Sequence, residues 1–405
     1  ILANNTMDLS LTWMSISASA SGVLNATNLR GDSGISDSVI AGFGTAGGTD
    51  AIRIVNTNTN LGSFTLADTS ISGGATANDG LFMEAIGSSD MRLFVQDSTF
   101  SGLFGDGVQV NSTVGSTGQI NVTIEGSDFV NAAPNGNGGV SLNSLGASTM
   151  RALVEGNTFD DVMRPNTTLG AINLSNGGTA TAHFRIVDNV IEDLPGARGI
   201  SFNGDGTSTS YVLIDGNSVD RLASLTKAAI NVNFIGNAVG DVIVSDNLVG
   251  QNGNLWTSGN GNANALLVNA QNGAQVDVLL DGNSVTANSN IEVVRVRSVN
   301  TAVMNATVTD NIIQDTAGAD LEFDASAGLA TGTAVLNLNI FGNLFSEGDA
   351  DVIRLNDAAG GVLNVTQTSA ADVSTLNDAA TVSVLGTVFF AQPAPPLPIV
   401  PDFPM

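Results

Sequence analysis

The chain has 405 residues, and its 38 acidic and 12 basic side chains give a formal net charge of −26 at pH 7. Nucleic acids and anionic membranes bind to basic patches, so this charge argues against both as partners. The absence of Cys excludes disulfides, thiolate metal sites and a Cys nucleophile. The chain also lacks the run of about eighteen apolar residues that would predict a membrane span.

The first predicted element is a strand at residues 7–13, where apolar and polar residues alternate. The chain opens with Ile1 and shows no signal peptide, which predicts a mature or trimmed product. Low charge, 47 glycines and short β-branched runs favour many strands and tight turns over helices.

One sequence module then recurs about twelve times, with a period near thirty residues, which predicts a solenoid. Each module has an alternating strand, a turn of Gly or Asp followed by Asn, an inward apolar residue, a variable loop and a second strand. The turn residues tolerate left-handed backbone angles, and stacked Asn amides about 4.8 Å apart would form a ladder. The clearest copies are residues 154–159, 214–219, 280–285, 308–313 and 340–345.

With three short strands in each turn, an Asn ladder and inward apolar columns, residues 1–390 resemble the right-handed parallel β-helix proteins. The predicted fold class is therefore all-β, a single-stranded parallel β-helix of the pectate-lyase-like kind. That family includes pectate lyases, phage tailspikes, autotransporter passengers and bacterial surface adhesins, so the resemblance leaves the function open. The Asp cluster plus Arg of pectate lyases is not present, so their activity is not carried over.

An acidic ridge follows the inward apolar residue in successive coils. Its carboxylates would lie about 5 Å apart and repel one another, which calls for neutralisation. A solvated or Arg-paired surface, Ca²⁺ binding and a glycosidase-like carboxylate pair are the alternatives. Repeated Asp-rich calcium-binding nonapeptides are not found, and the single His, His183, is expected on the surface beside Arg185. The ridge consists of Asp160, Asp161, Glu192, Asp193 and Asp220.

Two further features are candidate ligand contacts. Trp256 lies in the Asn- and Gly-rich loop 251–264, where it either stacks on a sugar or folds over the neighbouring loop. Arg295 and Arg297 alternate on one outward strand face. They either meet an anionic sugar or the acidic ridge of another copy, or they pair with nearby glutamates.

Neither end of the solenoid shows helical periodicity or a charged residue that would guard its exposed edge. Residues 391–405 are Pro-rich, so an extended, apolar docking tail is predicted after the β-helix of residues 1–390. The residues expected to mediate assembly are Phe389, Phe390, Leu397, Ile399, Val400 and Phe403.

These features predict a non-catalytic, extracellular structural protein, a fibre or adhesin subunit of a bacterial surface that self-associates end to end. A polysaccharide-degrading enzyme or tailspike-like depolymerase is one alternative, and a glycan-binding adhesin is another. No cofactor is expected apart from Ca²⁺ at the acidic ridge.

Overall fold

The computed structural model describes residues 1–17, 22–44, 48–74, 76–130, 138–162, 170–194, 198–220, 228–250, 256–257, 264–288, 292–315, 322–328, 332–345, 352–358, 360–379 and 381–401. The chain divides into two compact units, and unit 1 is Ile1–Ala197 and unit 2 is Arg198–Pro401. Each unit is a parallel β-solenoid, which confirms the predicted fold class.

Unit 1 repeats one cycle of three strands, and these strands add in turn to sheet 1, sheet 2 and sheet 3. Seven such coils are present among the described residues. The strands are β1 Leu2–Asn4, β2 Ser10–Thr12, β3 Ser15–Ser17, β4 Leu24–Thr27, β5 Asp32–Ser36, β6 Val39–Phe43, β7 Ile52–Thr57, β8 Ser63–Ala67, β9 Ser70–Gly73, β10 Leu81–Ile86, β11 Met91–Gln96, β12 Thr99–Ser101, β13 Asp106–Ser112, β14 Gln119–Glu125, β15 Asp128–Val130, β16 Gly138–Ser144, β17 Thr149–Glu155, β18 Thr158–Asp160, β19 Gly170–Asn176, β20 Thr181–Val187 and β21 Val190–Glu192.

Unit 2 repeats the same cycle, with sheets given the same numbers by their place in the coil. The prediction of about twelve coils for the whole chain is close to the observed number, since sheets 1 and 2 each have 14 described strands over the two units. The strands of unit 2 are β22 Arg198–Gly204, β23 Thr209–Asp215, β24 Ser218–Val219, β25 Ile230–Phe234, β26 Val239–Ser245, β27 Leu248–Val249, β28 Trp256–Thr257, β29 Leu266–Asn272, β30 Gln275–Asp281, β31 Ser284–Asn288, β32 Val294–Asn300, β33 Val303–Thr309, β34 Ile312–Asp315, β35 Phe323–Gly328, β36 Val335–Phe341, β37 Leu344–Phe345, β38 Ile353–Asp357, β39 Val362–Val365, β40 Val382–Leu385 and β41 Val388–Phe389.

The cores form because side chains alternate along each strand, so one set points inward while the other faces out. Like residues then lie over one another in successive layers. In unit 1 the rings of Phe100 and Phe129 stack with centroids 4.9 Å apart, and those of Phe129 and Phe159 are 4.7 Å apart. The predicted inward apolar position is thus a continuous column in this unit.

The turn between sheets 2 and 3 has the predicted left-handed residue, for example Gly156 at φ +63° and Asp246 at φ +53°. After it comes the ladder. In unit 2, the amide of Asn247 donates to Asn283 Oδ1 at 2.9 Å and also to the backbone oxygen of Ile214 at 2.9 Å. Such buried amides are satisfied from both sides, which locks each coil to the next.

One helix was not predicted. Helix α1, Ala370–Leu376, follows β39 and takes the place of a sheet 3 strand in unit 2. Ser369 caps its N-terminus and Val373 is its buried residue. Its C-cap, Asn377, accepts the last ladder bond, from the amide of Asn343 at 2.7 Å. Seven residues are too few for visible periodicity, so the sequence did not reveal this helix.

Residues 391–401 form neither helix nor strand and lie along sheet 2 of unit 2. The N–H of Gln392 donates to the oxygen of Val365 at 3.0 Å, and the backbone of Ile399 donates to the Asp241 carboxylate. Val365 and Asp241 are four strands apart in this sheet, about 19 Å, which about seven extended residues span. The predicted docking segment contacts its own solenoid, with Pro398 buried. Its contact with another copy stays a prediction.

In the described part of the chain, no helix has the length and apolar character needed to cross a membrane.

Candidate functional site

The outer face of sheet 1 in unit 2 carries a cluster of charged side chains. Arg295 on β32, Asp324 on β35 and Arg354 on β38 occupy the same register position in three successive strands. Glu292 lies just before β32, and Arg297 faces outward two residues after Arg295. The regular coil spacing therefore brings together residues that lie far apart in sequence.

Asp324 holds the cluster together from a completely buried position. Its two carboxylate oxygens meet Arg295 Nε at 2.9 Å and Arg354 Nε at 2.7 Å, and Ser326 donates a further bond at 2.8 Å. Burial of Arg354 lowers its pKa, but the hydrogen bond and charge of Asp324 outweigh it, so the pKa of Arg354 is raised on balance. A buried carboxylate held this way is matched in charge and in hydrogen bonds.

Glu292 is the second carboxylate between the same two arginines. It forms an ion pair with Arg354 and lies 3.7 Å from Arg295. The amide of Asn264 donates to its backbone oxygen at 2.7 Å. Pairing of these arginines with a nearby acid was one of the two alternatives in the sequence, and Asp324 was missed as the central partner.

Arg297 is placed differently. Its Nε donates to Asn269 Oδ1 at 2.8 Å, and no ion pair with it occurs among the described residues. Burial, then the charge of Arg295, lower the pKa of Arg297, and they outweigh the charges of Asp324 and Glu292, which raise it. The five charged side chains of the cluster are thus three guanidiniums and two carboxylates. Arg297 is the guanidinium that has no carboxylate in an ion pair with it among the described residues.

An outward file of amides leads to Arg297. The amide of Asn233 donates to Asn203 at 2.9 Å, and that of Asn269 donates to Asn233 at 2.6 Å. These residues occupy successive strands β22, β25 and β29, and Arg297 follows on β32. The face therefore offers hydrogen-bonding groups at a regular spacing of about 4.8 Å.

The acidic ridge is partly assembled in unit 1. Asp160 and Glu192 are register partners of β18 and β21. Burial, then the charges of Asp160 and Asp193, raise the pKa of Asp161. Asp220 is buried and belongs to unit 2. Among the described residues, no three His, Asp or Glu side chains are grouped to hold a metal ion, and Ca²⁺ binding at the ridge stays a prediction.

The remaining predicted contacts are scattered. Trp256 begins the short β28, whose backbone pairs with β31, and its side chain lies outside the described residues, as does Phe403. Phe389, Leu397 and Ile399 are exposed on β41 and the tail. Phe390 and Val400 are half-buried.

A column of buried carboxylates in unit 1 was missed by sequence reasoning. Asp50, Asp79 and Asp106 each precede or begin a sheet 1 strand, in three successive coils. Asp50 pairs with Arg53 at 3.1 Å, and the backbone N–H of Asp106 donates to Asp79 Oδ1 at 2.7 Å. In the sequence, each of these Asp residues lies two positions before the first inward apolar residue of its strand, which is Ile52, Leu81 or Val108.

Burial raises the pKa of Asp79 to about 8, and the neighbouring Asp106 carboxylate raises it as well. Burial also raises the pKa of Asp106 to about 7. Perturbed carboxyls are often catalytic. Here Asp79 is 1% exposed and its oxygen bonds to the backbone of the next coil, so the column is placed for structure and not for contact with a substrate.

No protein-family model matches the sequence, and no curated protein is similar to it. Two solved structures of a periplasmic alginate epimerase, AlgG, are similar in fold. Its single mutant is 14% identical with a TM-score of 0.41, over 91% of this chain and 76% of the epimerase. Its double mutant is 14% identical with a TM-score of 0.37, over 94% and 78%. Likeness at this level shows the fold alone.

Proposed function

We propose that this β-helix binds an acidic polysaccharide along the outer face of sheet 1 in unit 2. The observation that carries the proposal is the guanidinium of Arg297, which has a neutral amide as its partner while Arg295 and Arg354 are matched by Glu292 and Asp324. A guanidinium presents paired donors that fit a carboxylate, so a uronic-acid residue is the sugar that this position recognises best.

The amide file supports an extended ligand. Asn203, Asn233 and Asn269 lead to Arg297 in successive layers, and amides both donate to and accept from sugar hydroxyls. A long, regular face of this kind suits a polymer better than a compact ligand, as expected for a solenoid.

Cleavage of the bound polymer is the alternative that the sequence left open. Glu292 and Asp324 are both bonded to guanidiniums and nearly or fully buried. A general acid or base must reach the proton that it transfers. The cluster therefore favours binding over proton transfer, and new chain ends formed in binding samples would show the opposite.

The test is isothermal titration with pectate and alginate oligosaccharides, with a neutral dextrin as the control ligand. We expect binding of an acidic oligosaccharide, and an affinity loss of about tenfold or more in Arg297→Gln. The matched control is Arg30→Gln, which removes the same charge from an exposed site in unit 1. Equal affinities of Arg297→Gln and the parent chain would contradict the proposal.

Self-association is a second candidate, favoured by apolar side chains on the last strands of unit 2. Leu385 on β40 and Phe389 on β41 are 48% and 46% exposed, and both strands have a neighbour on one side in the described sheets. Unpaired strand edges of this kind are templates for association. Sedimentation velocity of a Leu385→Ser, Phe389→Ser double variant should show smaller species than the parent chain. The extracellular, surface-bound location stays a prediction from the sequence.

A further inference from the structure

A second group of basic side chains lies in unit 1, on the outer face of sheet 2. Arg92 on β11, Asn121 on β14, Arg151 on β17 and His183 on β20 are register partners in one file across four successive strands. Arg185 lies two residues after His183, in the adjacent file. The chain has 12 Arg and Lys residues and one His, and four of these side chains, those of Arg92, Arg151, His183 and Arg185, share a single face.

The spacing puts these groups within reach of one ligand. Adjacent strands lie about 4.8 Å apart, so Arg151 and His183 are direct neighbours and Arg92 is about 10 Å from Arg151 at the backbone. Like charges placed this way repel each other unless an anion lies between them. Burial, then the charge of Arg151, lower the pKa of His183, which is the expected response to such crowding.

Arg151 is the central residue of the group. Within the described part of the chain, no ion pair involves Arg92 or Arg151. The Nε atom of Arg151 is buried there without a hydrogen-bond partner. Glu155, the acid on the same strand face, is separated from Arg151 by Leu153. The guanidinium of Arg151 thus has no carboxylate partner among the described residues, and an external anion would relieve its repulsion with the neighbouring basic groups.

We propose that this face is an oxyanion-binding site for an acidic saccharide, with Arg151 as its central donor and Arg92 beside it. The neighbouring file favours a saccharide over an acidic peptide. Gln119, Thr149 and Thr181 form that file and offer amide and hydroxyl groups for sugar hydroxyls. The anionic group is a carboxylate or a sulfate ester, because a guanidinium fork binds both.

The site is separate from the one proposed in unit 2, so the two are tested by different variants. Isothermal titration at constant ionic strength would use a uronic-acid tetrasaccharide, a sulfated neutral tetrasaccharide and hexaglutamate. We expect Arg151→Gln to lose about tenfold or more in affinity for one of the two saccharides. The saccharide that is affected tells a carboxylate from a sulfate ester. The loss caused by Arg151→Gln should persist in an Arg297→Gln background, in which the contact proposed in unit 2 is already removed.

One control and one further test variant keep the result interpretable. Arg30→Gln removes an equal charge at an exposed position elsewhere in unit 1 and should leave the affinity unchanged, whereas Arg92→Gln removes the exposed guanidinium beside Arg151 and should weaken binding of the same saccharide. The ring signals of His183 give a second readout, since a bound anion raises the pKa of a nearby imidazole. Unchanged saccharide affinity in Arg151→Gln, or tighter binding of hexaglutamate than of either saccharide, would overturn the proposal.

Discussion

In unit 1 the buried carboxyls of Asp79 and Asp106 stack in one column with no ion pair to either among the described residues. In unit 2 the carboxylates of Glu292 and Asp324 lie between two guanidiniums. Asp79 and Asp106 avoid mutual repulsion by retaining their protons, as their raised pKa values indicate. The negative charges of Glu292 and Asp324 are instead neutralised by Arg295 and Arg354.

The hydrogen-bonded ladders that join successive coils also differ between the two units. In unit 1 the backbone N–H of Ser98 donates to the hydroxyl of Ser127 at 3.1 Å, and amides take over only from Asn157 onward. In unit 2 each described rung from Asn217 to Asn343 is an amide. The same coil backbone is thus joined to the next coil by hydroxyl groups in one part and by amides in another. The two units should therefore respond differently to pH and to substitution.

The largest effect is expected from breaking the arginine-matched cluster. Asp324→Asn leaves Arg295 and Arg354 with Glu292 as their one remaining carboxylate, so buried positive charge becomes uncompensated. The free energy of unfolding should fall by about 3–5 kcal/mol, as measured by urea denaturation. Asp378→Asn, at an exposed position, is the control. A loss below about 1 kcal/mol would mean that the cluster contributes little to stability.

Changing the pH tests whether the buried carboxyls of Asp79 and Asp106 stay protonated in the folded protein. Asp79 and Asp106 have folded-state pKa values of about 8 and about 7, above the unfolded value of 3.8. The folded state therefore holds protons that the unfolded state has lost. The contribution of these two carboxyls to stability is therefore largest below about pH 4 and is lost as the pH rises toward 8. Between pH 5 and pH 7 the loss is on the order of 5 kcal/mol, because each group contributes about 1.4 kcal/mol per pH unit there.

Asp79→Asn is the matched variant for this dependence, since it keeps the shape of the side chain and removes its titration. We expect a flatter profile of melting temperature against pH, with the gain in stability confined to the neutral and alkaline side. A profile as steep as that of the parent chain would place the titrating group elsewhere.

The two ladders can be compared directly by removing one rung from each. Asn247→Ala deletes bonds to Asn283, to Ile214 and to Ser245, whereas Ser127→Ala deletes one donor and one acceptor contact. We expect losses of about 2 kcal/mol and about 1 kcal/mol, because buried groups left without partners cost free energy. Equal losses would show that ladder chemistry does not distinguish the units.

The smallest effect on stability is expected at the proposed ligand contact. Arg297→Gln removes one bond to Asn269 and relieves the repulsion with Arg295, so the free energy of unfolding should change by less than about 0.5 kcal/mol. Thermal unfolding in the absence of ligand measures this. A large loss of stability would assign Arg297 to the structure of the face instead of to binding.

The sequence by itself determined the coil. A left-handed turn residue, an Asn after it and an inward apolar residue recur at a nearly constant interval, and each is a local requirement of one backbone plan, so Asn217, Asn247 and Asn283 stack as predicted. Helix α1 was invisible because Ala370–Leu376 is too short to show a period.

Only the tertiary structure decided which charges meet. Arg295, Asp324 and Arg354 lie in three different coils, and the pairing of β32, β35 and β38 places them at one register position. The same holds for Arg151 and His183, and for the Pro-rich tail that reaches Asp241. Periodicity fixes the direction in which a side chain points, but the neighbour that it finds depends on the length of every loop between them, and that information is not local.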